Sequence, residues 1–202
     1  MVKKVEKKLH PDGFEMECTT VWAFPRRGKW ATHKSDWRGN WAPEVVRNLI
    51  LRYSQEGDIL LDSMIGGGTT AIEAKILNRH IVCTDVNDDA LERTKAALNF
   101  SAGNKSKQKI YKCDSRDLSK VKDSSIYFIL THPPYADIIS YGGGKITADL
   151  SNIHDLEQFA DEMEKVSKEF YRVLKSGKFC AILMGDTRRK KMYQPLAFKV
   201  ME

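Results

Sequence analysis

Two segments of this 202-residue chain hold residues whose types and order can do chemistry. The first runs Leu60-Leu61-Asp62-Ser63-Met64-Ile65-Gly66-Gly67-Gly68-Thr69-Thr70. A short apolar stretch ends on a carboxylate, and a run of glycines follows. Glycine takes positive φ without steric cost and lets backbone approach a ligand closely. The next apolar stretch, His80 to Asp85, ends on another carboxylate. A carboxylate at that place can accept hydrogen bonds from both ribose hydroxyls of a nucleoside. Read together, the glycine turn and Asp85 favour a nucleoside cofactor over a plain tight turn. The second segment is Ile129-Leu130-Thr131-His132-Pro133-Pro134-Tyr135. Two prolines cannot continue a central strand, so the chain must leave the sheet rigidly here. The Pro133 carbonyl then becomes a free acceptor, and Tyr135 offers a face for stacking a planar ring. A structural turn with a packed tyrosine would look the same.

Other residues are candidates for contact with ligands. Asp114 follows a third apolar stretch, where it could touch a ligand or cap a helix starting near Arg116. Arg188-Arg189-Lys190-Lys191 follows Gly185-Asp186 and could grip phosphates or be a solvated face. Arg26, Arg27, Lys29 and Lys34 are interleaved with Trp22, Trp30 and Trp37, which form either a second contact surface or core. The net charge of +6 suits a polyanionic partner. Residues 136–154 make a long glycine-containing connection, and such loops are usually functional or disordered; a mobile flap is expected there. Cys18, Cys83, Cys113 and Cys180 form no CxxC pair, and three of them fall in apolar runs, so they read as buried thiols of a reducing compartment. No metal site is expected.

The elements that must position these residues alternate. Helical spacing starts at Pro43 with Val45, Val46, Leu49, Ile50 and Tyr53. Strands are expected at 59–62, 80–85, 108–113, 125–131 and 179–184. Helices are expected at 71–77, 88–100, 155–174 and from Pro195 onward. Such alternation predicts an α/β, doubly wound, mostly parallel sheet with helices on both faces. In these sheets ligands bind beyond the carboxyl ends of the strands, where Asp62, Asp85, Asp114 and the His132 turn all fall. Residues 1–20 read as a polar, loosely ordered arm and residues 21–202 as one domain. No stretch approaches the roughly 20 apolar residues that cross a bilayer, and the N-terminus has no secretory apolar region. A cytoplasmic protein is the expectation.

The first segment resembles the D-x-F-x-G-S-G-T-T motif of the amino-methylating DNA methyltransferases, and Thr131-His132-Pro133-Pro134-Tyr135 resembles their catalytic (D/N/S)-P-P-(Y/F) motif. The resemblance runs from about Trp22 to the C-terminus, in one of the known motif orders. It implies a Rossmann-like class I methyltransferase fold and S-adenosylmethionine as cofactor. Asp62, Gly66, Gly67, Gly68, Thr69 and Thr70 would hold the methionine end, with Trp41 and Pro43 flanking the methionyl group. Asp85 would hold the ribose and Asp114 the adenine amino group. His132, Pro133, Pro134 and Tyr135 would receive a base flipped out of double-stranded DNA, with N4 of cytosine favoured over N6 of adenine because the N4 subgroup usually carries T-S-P-P-Y. A restriction partner is possible in such systems. His132 stands where the family usually has Asp, Asn or Ser, so activity is expected to fall below the ordinary imidazole pKa of about 6.5. The family sheet has seven strands and five are legible, so the last strands, and any target-recognition part, are expected in a missing C-terminal part or a partner. An RNA or protein methyltransferase, or a non-catalytic nucleic-acid-binding module of the same fold, is the alternative.

Overall fold

A computed structural model describes residues 8–189 and 191–202. Helix α1 (Pro43–Tyr53) opens with proline in its first turn, where a missing N–H costs nothing. It leads to strand β1 (Ile59–Asp62), helix α2 (Thr69–Ile76), strand β2 (His80–Asp85), helix α3 (Asp88–Ala97) and strand β3 (Gln108–Lys112). Strand β4 (Ile126–Thr131) ends at the His132 turn. Helix α4 (Leu156–Val173) is capped by the Asp155 side chain, which accepts from the Gln158 amide, and it runs into strand β5 (Leu174–Ile182). The chain continues as a hairpin of β6 (Thr187–Arg189) and β7 (Met192–Gln194), then helix α5 (Leu196–Met201).

The five long strands form one parallel sheet in the order β3-β2-β1-β4-β5. The order reverses between β1 and β4, so the crevice above those two strands is the switch point where such folds bind ligands. Because both faces are covered, β1 and β4 read as continuous apolar runs. Leu60, Phe128 and Leu130 face the core under α1, α2 and α3, whereas Leu61, Ile126 and Ile129 face the core under α4 and α5.

Several local expectations change. The residues between the helix expected at 155–174 and the strand expected at 179–184 form a bulge inside β5: Leu174 pairs with Ile126 and Phe179 with Phe128, and Gly177 takes φ +72°. The β6–β7 hairpin has no counterpart in the sequence reading. Strand β5 lies at the edge of the sheet, so Phe179 is 53% exposed and Cys180 is also exposed. Of the cysteines, Cys83 is buried, Cys113 is half-buried and Cys18 is exposed, so burial of the three strand thiols holds fully for Cys83 alone.

Residues 8–41 carry no helix or strand, yet they dock. The Lys8 carbonyl accepts from the Ala31 amide, and the Glu17 amide donates to Asn48 Oδ1. The anchor is Glu73 on α2, which is fully buried. Its carboxylate accepts from Trp30 Nε1 at 2.6 Å and Arg47 Nη1 at 2.8 Å, and lies 2.7 Å from His33 Nε2. Trp30 is therefore part of the packing. Arg27 also turns inward, donating to the carbonyls of Asn40 and Trp41, while Arg26, Lys29 and Lys34 remain exposed. Among the described residues no helix is long and apolar enough to cross a membrane.

Candidate active site

The end of β1 is tied to the end of its neighbour β4. Asp62 is buried, and its Oδ1 accepts the Thr131 hydroxyl at 2.8 Å and the Met64 amide at 3.2 Å. The glycine turn begins at once. Gly66 and Gly68 adopt φ +51° and +85°, a region that other residues enter only with strain. A Cβ on Gly66 would come 2.8 Å from Trp37 Nε1, and one on Gly67 would come 2.6 Å from Asn40 Nδ2. The segment before α1 therefore lies directly on the turn, and glycine is what lets it. Asp85 faces the same turn: its oxygens accept the amides of Gly66 at 3.0 Å and Asn87 at 2.9 Å. A carboxylate oxygen has more than one acceptor site, so both keep capacity toward a ligand.

Asp62, Met64, Gly66, Asp85 and Asn87 line an open cavity of about 730 Å³, together with Trp37, Trp41, Asp114, His132 and Pro134. Beside it is a smaller cavity of about 240 Å³, walled by Pro133, Tyr135, Ile138 and Ile139. Gly39, His132 and Tyr141 line both. The glycine turn and the His132 turn thus open side by side.

Burial sets the electrostatics. Desolvation pushes the Asp62 and Asp85 carboxyls up to about 6, against hydrogen bonds that favour their charged forms. Desolvation also holds the His132 imidazole at about 4, opposed by a hydrogen bond with the Gly39 backbone. The expectation that His132 protonates near 6.5 is therefore corrected: partial removal from water keeps it neutral well below that. Tyr135 is pushed up to about 12 by burial, so its hydroxyl keeps its proton. That hydroxyl is 2.7 Å from His132 Nε2, and the imidazole also packs against Trp41 at 5.8 Å between ring centroids.

Not every residue singled out in the sequence meets the cavity wall. Gly67, Gly68, Thr69 and Thr70 lie behind it: a Cβ on Gly68 would press on Thr94, Thr69 donates to Asn40 Oδ1 at 3.0 Å, and Thr70 is fully buried. Pro43 is buried at the start of α1. Asp114 does line the cavity, but its two oxygens accept a fork from Arg116 at 2.9 Å and 2.6 Å. It caps a short turn through the Arg116 amide and not a helix. Arg188 and Lys191 are exposed, and Lys190 lies outside the described residues. Arg189 pairs with Asp137 and donates to the His154 carbonyl, so it braces the loop beyond Tyr135. That loop, expected as a flap, contains two short 3-10 turns, at Ala136–Ile138 and Leu150–Asn152. One position packed against the His132 turn escaped the sequence reading. Gly185 carried no motif, yet a Cβ there would fall 2.5 Å from the Tyr135 ring.

Residues 2–96, which carry the glycine turn and Asp85, match the family described as DNA methylase, of the N6/N4 type. The chain is similar to this family over those residues, just under half of its length. The chain is 40% identical over 58 residues to the type II methyltransferase M.HpaI of Haemophilus parainfluenzae, a match covering 28% of this chain and 18% of that one. It is 27% identical over 107 residues to the type II methyltransferase M1.MboII of Moraxella bovis, covering 48% of this chain and 40% of that one. The matches thus span well under half the length of these relatives. In fold it is similar to TrmN from Thermus thermophilus, with a TM-score of 0.56 and 19% identity over 77% of this chain and 48% of that one.

The cofactor this similarity implies is S-adenosylmethionine, and the donor set fits it. Two carboxylates, Asp62 and Asp85, face the cavity, one suited to ribose hydroxyls and both suited to a cationic sulfonium. The Ser63 hydroxyl on the same wall has no partner among the described residues. Since only ionised carboxylates offer full charge to this ligand, affinity should be highest above pH 6 and weaken as pH falls through 6. Titration calorimetry from pH 7.5 to 5 is expected to show about a tenfold loss per unit at the acid end. Asp85→Asn should weaken binding at least tenfold at pH 7.5 by removing the charge behind two hydrogen bonds. A pH-independent affinity in the wild type would contradict this account.

Proposed function

We propose that this chain carries the catalytic machinery of a DNA methyltransferase that moves a methyl group from S-adenosylmethionine to an exocyclic amino group of a base extruded from the duplex. The observation that carries the reading is the shared rim of the two cavities: Gly66 and Asp85 wall one, Tyr135 and Pro133 wall the other, and His132 belongs to both. The bound cofactor supplies an already activated methyl, so the protein's task is positioning. An aromatic amine is a weak nucleophile because its lone pair is delocalised. Acceptors on its N–H groups let the nitrogen become tetrahedral and aim that lone pair. His132 Nε2, in place of its bond with the Tyr135 hydroxyl, and the Pro133 carbonyl are suited to be those acceptors. The Tyr135 ring would stack on the base, which must leave the helix to reach so recessed a site. Asp62 and Asp85 would hold the cofactor, which would give up its methyl to the amine as a neutral thioether leaves, and the amine proton displaced would pass to solvent.

Cytosine N4 is the favoured target on the resemblance of Thr131-His132-Pro133-Pro134-Tyr135 to T-S-P-P-Y. Thr131 itself is buried and bonds to Asp62, so it acts on the sheet rather than on the base. The exposed Arg188 and Lys191 are suited to phosphate contacts at the site's edge, and Lys190 belongs to the same run. The test is incubation with genomic DNA and S-adenosylmethionine followed by nucleoside mass spectrometry. N4-methylcytosine is the expected product and N6-methyladenine the second. Label entering tRNA or protein and not DNA would overturn the reading, and so would no transfer at all by a protein that binds the cofactor.

A further inference from the structure

Tyr141 belongs to no motif, and its place is set by contacts from three directions. It lines both cavities, as only Gly39 and His132 also do among the described residues. Its ring stacks on Trp37, with centroids 5.9 Å apart and planes 16° from parallel. Its amide donates to Ser151 Oγ at 3.3 Å, and its carbonyl accepts from Asn87 Nδ2 at 3.3 Å. Its hydroxyl occupies the space beside Gly39, where a Cβ would come 2.1 Å from it. Trp37 is fixed in turn from the other side. Its indole nitrogen lies against Gly66, the Arg93 guanidinium covers its ring at 5.6 Å, and Arg93 also pairs with Asp36 at 3.4 Å. A continuous chain of contact therefore runs from the glycine turn through Trp37 to Tyr141 and the wall of the second cavity. Residues 37 and 141 come from segments far apart in sequence, the approach to α1 and the loop beyond Tyr135.

We propose that the Trp37–Tyr141 stack is an aromatic clasp that closes the donor cavity and holds Tyr141 as the positioning residue of the opening between the donor and the target base. It deepens the methyltransferase reading, from which it takes the identity of the two substrates. Both rings line the donor cavity, so their stacking slows cofactor release. Tyr141 also bounds the rim across which the methyl group travels, so its loss lets the base settle out of line. Stacking is the property in use, because the Tyr141 hydroxyl has no hydrogen-bond partner among the described residues.

The test is a double-mutant cycle on cofactor release, followed by stopped-flow fluorescence, with Tyr141→Ala, Trp37→Ala and the pair. Each single change is expected to speed release between about threefold and tenfold, as loss of one aromatic pair implies. The double variant should be no faster than the faster single one, since the two share one interaction. Tyr141→Phe should release cofactor at the wild-type rate. With DNA as substrate, Tyr141→Ala should lower kcat by more than tenfold while Tyr141→Phe restores it. Both rings are half-buried and lie outside the three core clusters, so the fold should survive their truncation. Independent, multiplying effects of the two alanines on release would overturn the clasp, as would a Tyr141→Phe variant as impaired as Tyr141→Ala. Cofactor release is measurable without DNA, so a protein that binds cofactor but methylates no DNA would refute the function reading and leave the clasp to be decided by the cycle.

Discussion

Replacing Glu73 by alanine is expected to cost about 3–5 kcal/mol of folding stability, the range for removing one partner of a buried charge pair. Glu73 is fully buried and Arg47 is 6% exposed, so neither has water to fall back on. With the carboxylate gone, the Arg47 guanidinium keeps, among the described residues, only His10 Nδ1 at 2.8 Å and the faces of Phe14 and Trp30. The Trp30 indole and the His33 imidazole lose the same acceptor. A domain of this size should melt roughly 10 °C lower. The consequence reaches the site, because the anchored segment continues into Trp37, Gly39, Asn40 and Trp41, which roof the donor cavity. Glu73→Gln keeps a carbonyl for one donor and should lose less. Urea unfolding with a loss under 1 kcal/mol for the alanine variant would show that the anchor is dispensable.

That anchor marks the limit of what the sequence discloses. The strand ends were legible because each one combines a short apolar run with a carboxylate, a glycine turn or a double proline within a few residues. Asp62, Gly66, Asp85 and His132 all occupy the cavity wall that their positions at strand ends required. Local signals failed where distant residues meet. His33 and Glu73 are 40 positions apart, and nothing near either one names the other. Trp37 and Tyr141 lie in segments that looked like an irregular basic stretch and a free flap, yet each holds the other in place. Gly185 reads as the end of a strand until the Tyr135 ring is seen against it. The bare face of β5 has the same origin: Phe179 and Cys180 follow an apolar pattern suited to a covered strand, but in this chain β5 lies at the edge.

His132→Ala is expected to lower kcat about 100-fold or more while leaving cofactor affinity within twofold. The methyl donor is unaffected by the change, but the amine loses an acceptor that aims its lone pair, and removal of one preorganised polar group at a reacting centre typically costs 10²–10³-fold. His132→Asn should recover most of the rate, because an amide oxygen accepts a hydrogen bond at any pH. The pH dependence separates this residue from its neighbours. Imidazole accepts only when neutral, so its contribution is complete above its pKa and lost as pH falls through it. Burial places that loss near pH 4. Between pH 5 and 8, kcat at saturating cofactor should therefore show no inflection from His132, whereas cofactor KM should rise below pH 6 as Asp62 and Asp85 take up protons. An acid limb in kcat centred near 6.5 that vanishes in His132→Asn would mean that the imidazole is open to water and that its burial against Trp41 and Tyr135 does not govern its chemistry.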